Sequence, residues 1–233
     1  MVHQLDNSLI LKRVHELHKA LWEERFSLLG RDAVSPTELL DPRLACALLG
    51  ITFEEYPEIP NRFGGRNGHK IAGLLDRQAR KVAVSTDFSE EVVRFTGAHE
   101  VGHWLMHPDT VMHRDLPIGD AVIGSNRRDR LEREADYFAA HFLMPERLVK
   151  SIFREKFRVD LPMHFSEGLA FALSPSDPDV LMGTSRDSLD RELAMAGCRS
   201  LGTTHFRSMA EEFRVSTKAM AIQLKEFRLI DWP

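Results

Sequence analysis

With 233 residues, 43% of them apolar, the chain can bury a sizeable core in one large domain or two small ones. A formal charge of −4 and a pI near 6.3 exclude a globally basic surface that would draw nucleic acid or anionic membrane. Cys46 and Cys198 form no C-x-x-C, which excludes a disulfide framework, and no run of about 18 apolar residues offers a membrane span.

Leu9, Val14, Leu17, Leu21, Phe26 and Leu28 recur at helical spacing, so residues 3 to 29 are expected to form a helix closed by Gly30 at C′. His15 and His18 fall among its charged positions and read as surface residues. Ser35-Pro36 and Asp41-Pro42 each set a capping side chain before a proline and read as two helix starts, the second running to Gly50. Ile51 to Tyr56 reads as a strand, and Pro57 to Gly68 as a surface loop. Ile71 to Asp76 and Lys81 to Thr86 read as two strands joined through Asp76 to Arg80.

The next helix, over 89–107, carries the chemistry. Ser89 stands at the N-cap, Glu90 and Glu91 suit the positive end of the dipole, and Pro108 stops the run. Apolar side chains cover most of its circumference, so it is expected to be buried. Inside it lies H-E-x-x-H: His99 and His103 are four residues apart on one face, and Glu100 borders that face. Two imidazoles so arranged can share one cation, with the glutamate placed as general base for water at that ion. The pattern H-E-x-x-H-x-x-G-x-x-H is absent, because Asp109 occupies its last position. His107, two turns beyond His99, lies about 12 Å along the axis, too far to share the ion. It reads as a histidine capping the negative helix end.

A second helix is expected over 129–143. It offers Glu132 as a third ligand and Asp136, one turn along the same face, to fix a zinc-binding histidine through its second N–H. Glu134 is the rival third ligand on spacing alone, and otherwise joins Arg128, Arg130 and Arg133 in a solvated charged stripe. Between the two helices, Pro108 to Asn126 reads as an irregular wall of a cleft. His113 within it and Tyr137 beside Asp136 are candidates to stabilise an oxyanion.

After a helix near Glu146 to Lys156, prolines at 162, 175 and 178 suggest a loop-rich passage. Thr204 to Arg214 and Ser216 to Phe227 then read as helix, turn, helix. From Arg186 to Pro233 eight basic residues meet seven acidic ones, a net of +1, and Lys218, Gln223, Lys225 and Arg228 are a thin supply for a DNA reader. Packing or repressor docking is the expected role of 204–228, with direct DNA binding the lesser alternative.

The string R-F-T-x-A-H-E-x-G-H-W-x-x-H-P, followed by E-R-E-A-D-Y-F-A-A-x-F-L-M-P from Glu132 to Pro145, resembles the ImmA/IrrE family of zinc metallopeptidases. The match is strongest over residues 71 to 148. The resemblance implies one Zn²⁺ per chain held by His99, His103 and Glu132, with Glu100 catalytic, and so favours Glu132 over Glu134. The expected fold is α+β and mostly helical: a minimal zincin-like core with a small mixed or antiparallel sheet packed on the H-E-x-x-H helix, plus the C-terminal helix-turn-helix-like module read from the residues themselves. The expected division is 1–157 for the peptidase domain, 158–184 for a loop-rich linker and 185–233 for the helical module. A strand of the sheet could pair with extended substrate by strand addition. The family implies a cytoplasmic protease that cuts a helix-turn-helix repressor, and the absence of a signal core agrees with that location. The alternative is a non-proteolytic regulatory protein with a structural zinc site.

Overall fold

The computed structural model describes residues 7–59, 71–109 and 130–231, and the backbone of 112–115. The chain divides into two compact units, Met1–Leu143 and Met144–Pro233. The fold is α+β and mostly helical. Among the described residues no helix is long and apolar enough to cross a membrane.

The first unit opens with α1 (Asn7–Glu23), which buries Ile10, Val14, Leu17 and Leu21 along one stripe. The single helix expected over 3–29 is instead two, because the chain breaks at Glu24 before α2 (Arg25–Leu29). Gly30 closes α2 at φ 69°, the left-handed conformation that favours glycine. His18 is not a surface residue: it is half-buried, its Nε2–H donates to the Phe142 carbonyl at 2.9 Å, and its ring stacks on Phe142. Both Pro-marked starts form helices. Ser35 and Glu38 make a capping box on a short 3-10 turn (Pro36–Leu39), and the Asp41 side chain caps α3 (Pro42–Leu49) through Arg43 N–H.

Four strands form one sheet: β1 (Thr52–Tyr56), β2 (Gly73–Asp76), β3 (Lys81–Ser85) and β4 (Met112–Asp115), in the order β1-β3-β2-β4. β1 runs parallel to β3 with Thr52 opposite Lys81, while β2 is antiparallel to both neighbours, with Gly73 opposite Val84 and Asp115. β2 and β3, the strands in view for substrate pairing at a sheet edge, are thus interior. Among the described residues β1 and β4 are the edges. β4 lies in the stretch read from sequence as irregular.

α4 (Glu90–Met106) packs over β2 and β3 and between α3 and α5 (Arg130–Leu143). Enclosure on so many sides explains why its sequence is apolar almost all round. Arg94, 1% exposed, ties it to α3: its guanidinium meets Asp41 at 2.9 Å and donates to the Leu40 carbonyl at 2.5 Å. Gly97 lets Phe53 and Pro42 approach, since a Cβ there would lie 2.9 Å from the Phe53 ring.

The second unit holds α6 (Glu146–Phe157), β5 (Met163–His164), α7 (Glu167–Leu173), α8 (Pro178–Gly183), α9 (Asp190–Gly197), β6 (Ser200–Leu201), β7 (Thr204–His205), α10 (Met209–Phe213), α11 (Thr217–Glu226) and β8 (Ile230–Asp231). Residues 158–184, expected to be loop-rich, carry two short helices. They are secured by buried Arg191, which donates to the carbonyls of Leu181 and Met182 and lies over the Phe165 ring. α9 packs against α10 and α11. Ser208 and Glu211 form a capping box at α10, Arg214 turns the chain in the left-handed region, and Ser216 caps α11 through Ala219 N–H. Of the four residues available to a DNA reader, Gln223 is buried, and the Lys225 ammonium is held by the Arg186 and Ser188 carbonyls.

Candidate metal centre

Two helices supply the site, and a glycine sets how closely they approach. A Cβ on Gly102 of α4 would lie 3.1 Å from Phe138 and 3.2 Å from the Ala135 backbone of α5. Gly102 thereby permits the close contact that carries Glu132, at the start of α5, across to the histidines of α4.

His99 Nε2 and His103 Nε2 stand 3.0 Å apart. The Glu132 carboxylate lies 3.5 Å from each, through Oε2 to His99 and Oε1 to His103. Among the described residues this is the group of three acidic, thiol or imidazole side chains whose ligand atoms all lie within 4.8 Å of one another. The donor set fits a cation. Tetrahedral ligands at roughly 2.0–2.1 Å from zinc are separated from each other by roughly 3.3 Å, which falls between the observed spacings. Both Nδ1 atoms are also engaged behind the site, His99 by Asp136 Oδ1 at 3.0 Å and His103 by His107 Nδ1 at 2.9 Å. Protons held on Nδ1 leave both Nε2 lone pairs facing the carboxylate.

Glu100 is fully buried next to this group. Its carboxylate rests against the backbone of β2, for a Cβ on Gly73 would meet Glu100 Oε1 at 2.8 Å and Thr96 Cγ2 at 2.4 Å. No ordinary side chain could occupy that position without displacing the glutamate.

Residues 61–170 match the model of the IrrE N-terminal-like domain, Peptidase_M78. Over this segment the chain is similar to the IrrE N-terminal-like domain. Both helices of the metal centre lie inside the match; the chain beyond residue 170, including α8 to α11, lies outside it. A comparison with curated proteins returns no match.

Within the matched segment the remaining expected residues fall as follows. The Tyr137 ring packs 4.2 Å from His141, one turn along α5. The backbone of His113 pairs with Leu75 in β4, and its side chain lies outside the described residues, as does most of the 108–126 wall. One expectation is met with an addition, and one needs correction. His107 does occupy the C-cap of α4, but it is 6% exposed, and its ring bridges His103 and Glu134 Oε2 at 3.0 Å. Glu134 belongs to no solvated stripe: it is 7% exposed, and its other oxygen accepts from Arg130 Nε at 2.5 Å. Burial pushes its carboxyl up, but the hydrogen bonds from Arg130 and His107 outweigh it and hold the group below the usual carboxylate range.

Sequence reasoning passed over Arg77, in the turn between β2 and β3. Its guanidinium donates to the carbonyls of His103, Trp104 and His107 at 3.0–3.1 Å and lies over the Trp104 ring. These carbonyls lie at the negative end of the helix that carries His103, whose own carbonyl also accepts from His107 N–H. An H-x-x-x-H spacing across a helix stop, and an arginine in the preceding turn, were the available signals.

Proposed function

We propose that this chain is a zinc-dependent endopeptidase of the cytoplasm that cuts one specific protein, a helix-turn-helix repressor, and so relieves repression. The observation that carries the reading is the convergence of His99 Nε2, His103 Nε2 and the Glu132 carboxylate beside buried Glu100.

His99, His103 and Glu132 would hold the ion, leaving a position open for water or substrate. A zinc ion there supplies Lewis acidity to a peptide carbonyl and lowers the pKa of a bound water to about 7. Glu100 takes the proton from the attacking water as its oxygen bonds to the carbonyl carbon. As the C–N bond breaks, Glu100 returns that proton to the departing amine. Asp136 accepts from His99 Nδ1–H, fixing the ring so that Nε2 faces the site. β4, an edge among the described residues, runs antiparallel to β2 at the level of Gly73, so an extended substrate can add a strand there. Tyr137 and His113 are the candidates for the oxyanion.

The test uses the full chain, zinc and a repressor encoded beside it, with products read by mass spectrometry. The wild type is expected to cut once, and Glu100→Gln to keep one zinc while losing about 10²–10⁴-fold in rate. Cleavage undiminished in that variant would overturn the role of Glu100. The other reading, a regulatory binding protein with structural zinc, predicts that Glu100→Gln leaves partner regulation intact. Buried Gln223 and tethered Lys225 favour protein docking over DNA contact for α10 and α11.

A further inference from the structure

We propose that His107 and Glu134 form a single hydrogen-bonded line behind His103 that fixes which of its ring nitrogens faces the metal, making both of them positioning residues of the centre. The inference rests on the metal reading above. It concerns residues that the H-E-x-x-H and third-ligand pattern leaves out.

The proton positions follow one from another. For His103 to offer the Nε2 lone pair, its proton must sit on Nδ1. The atom facing Nδ1 at 2.9 Å is His107 Nδ1, which must then accept and carry no proton. A neutral His107 so arranged is protonated on Nε2, and Nε2 lies 3.0 Å from Glu134 Oε2, an acceptor. Glu134 Oε1 in turn accepts from Arg130 Nε. Every donor in the line meets one acceptor. Reversing the first bond would set a bare His107 nitrogen against a carboxylate oxygen, acceptor on acceptor.

Burial makes the line costly to retain without a role, because His107 and Glu134 are both more than nine-tenths hidden from solvent. The two histidines of the centre are therefore held by different devices. His99 reaches a carboxylate directly through Asp136, whereas His103 reaches one through an intervening imidazole. Since His107 closes α4 and Glu134 lies on α5, the line also locks the two ligand-bearing helices together at the level of the site.

Glutamate at 134 is chemically required by this scheme. Its two oxygens face two donors, so an amide in its place must aim its NH₂ at either Arg130 or His107. Asparagine at 107 can restore the acceptor that faces His103, because its Oδ1 falls near the position of Nδ1, although it does not reach Glu134 as Nε2–H does.

The experiment measures Zn²⁺ affinity of the full-length apoprotein by competition with a chromophoric chelator, with the Co²⁺ absorption spectrum as a second readout. His107→Phe, which keeps ring volume without an acceptor, is expected to weaken binding by about 10–100-fold and to alter the Co²⁺ spectrum. Glu134→Gln is expected to lose about tenfold, and His107→Asn to stay within about threefold of wild type. If the groups act as one line, His107→Phe with Glu134→Gln binds no more weakly than His107→Phe alone. Wild-type affinity in His107→Phe or in Glu134→Gln overturns the proposal, as does additive loss in the double variant or failure of His107→Asn to rescue. Should His107→Phe not fold, Glu134→Gln and His107→Asn carry the comparison. A wild-type protein that takes up no zinc defeats the metal reading itself, a result distinct from all of these.

Discussion

At Gly73 a missing side chain matters as much as the charged groups do. The space a Cβ would need is held by Thr96 and by Glu100 Oε1, both on α4, which is packed on several sides and has little room to retreat. Gly73→Ala is therefore expected to cost about 1–3 kcal/mol in stability through overpacking. It should also displace Glu100, so that peptide cleavage falls more than zinc affinity does. Equal activity in wild type and Gly73→Ala would mean that the carboxylate does not work from this position. The thiol of Cys46 tests the same core. Burial, with the nearby Asp41 and Glu100 charges adding to it, pushes its pKa up to about 12. The folded protein at pH 8 should thus resist alkylation at Cys46, and unfolding should expose it; rapid labelling under native conditions, read by peptide mass mapping, would contradict this packing. Residues of this kind differ in how far sequence discloses them. His99 and His103 stand out because sharing one ion demands fixed helical spacing and fixed chemistry, whereas spacing alone leaves Glu132 and Glu134 open and only the family resemblance separates them. The contributions of Gly73 and Gly102 depend on which atoms approach from another element, and that is a tertiary fact with no local signature.

Two helix ends are governed from one turn. Arg77 and Arg80 both leave the β2–β3 connection, Arg77 to cap α4, and Arg80 to donate to the Leu49 and Gly50 carbonyls at the end of α3. Arg77→Ala removes three hydrogen bonds from a charged donor and is expected to destabilise by about 1–3 kcal/mol in thermal or denaturant unfolding. Arg77→Lys should recover only part, because a point charge cannot reproduce the planar fork. His18 links α1 to the end of α5, and there the sign of a pH effect can be worked out. Burial lowers its pKa from 6.5, partly offset by the Phe142 hydrogen bond. A histidine depressed in the folded state gives stability that is present above the unfolded value and lost as pH falls through the folded one. Stability should decline as pH drops below about 6.5, by at most about 1.4 kcal/mol per pH unit from this group, and His18→Gln should flatten that decline. An unchanged slope would remove His18 from the acid response. The same histidine shows where periodicity misleads. Its position beside the apolar stripe of α1 reads as surface until α5 lies against it. α3, β1, β2 and β3 were legible because capping side chains, prolines and alternation act locally. β4 was not, since an edge strand of four residues owes its existence to its pairing with β2.

Across the whole chain, both helices that carry the candidate metal ligands belong to the first compact unit, while α9, α10 and α11 belong to the second. Binding to the folded state alone stabilises what binds, by about 2.7 kcal/mol at a ligand concentration one hundred times Kd. That is about a hundredfold in the opening equilibrium of the segments concerned. Zinc removal should therefore accelerate amide hydrogen exchange in α4 and α5 by up to this factor and leave α9 to α11 close to their original rates. Glu132→Ala should make the first unit insensitive to chelator, because the cluster then loses its only carboxylate ligand. Exchange in α4 and α5 that ignores the metal would remove any coupling between the centre and the fold. Equal acceleration in α9 to α11 would show instead that the two units unfold as one, and that the C-terminal helices draw stability from a site to which they contribute no ligand.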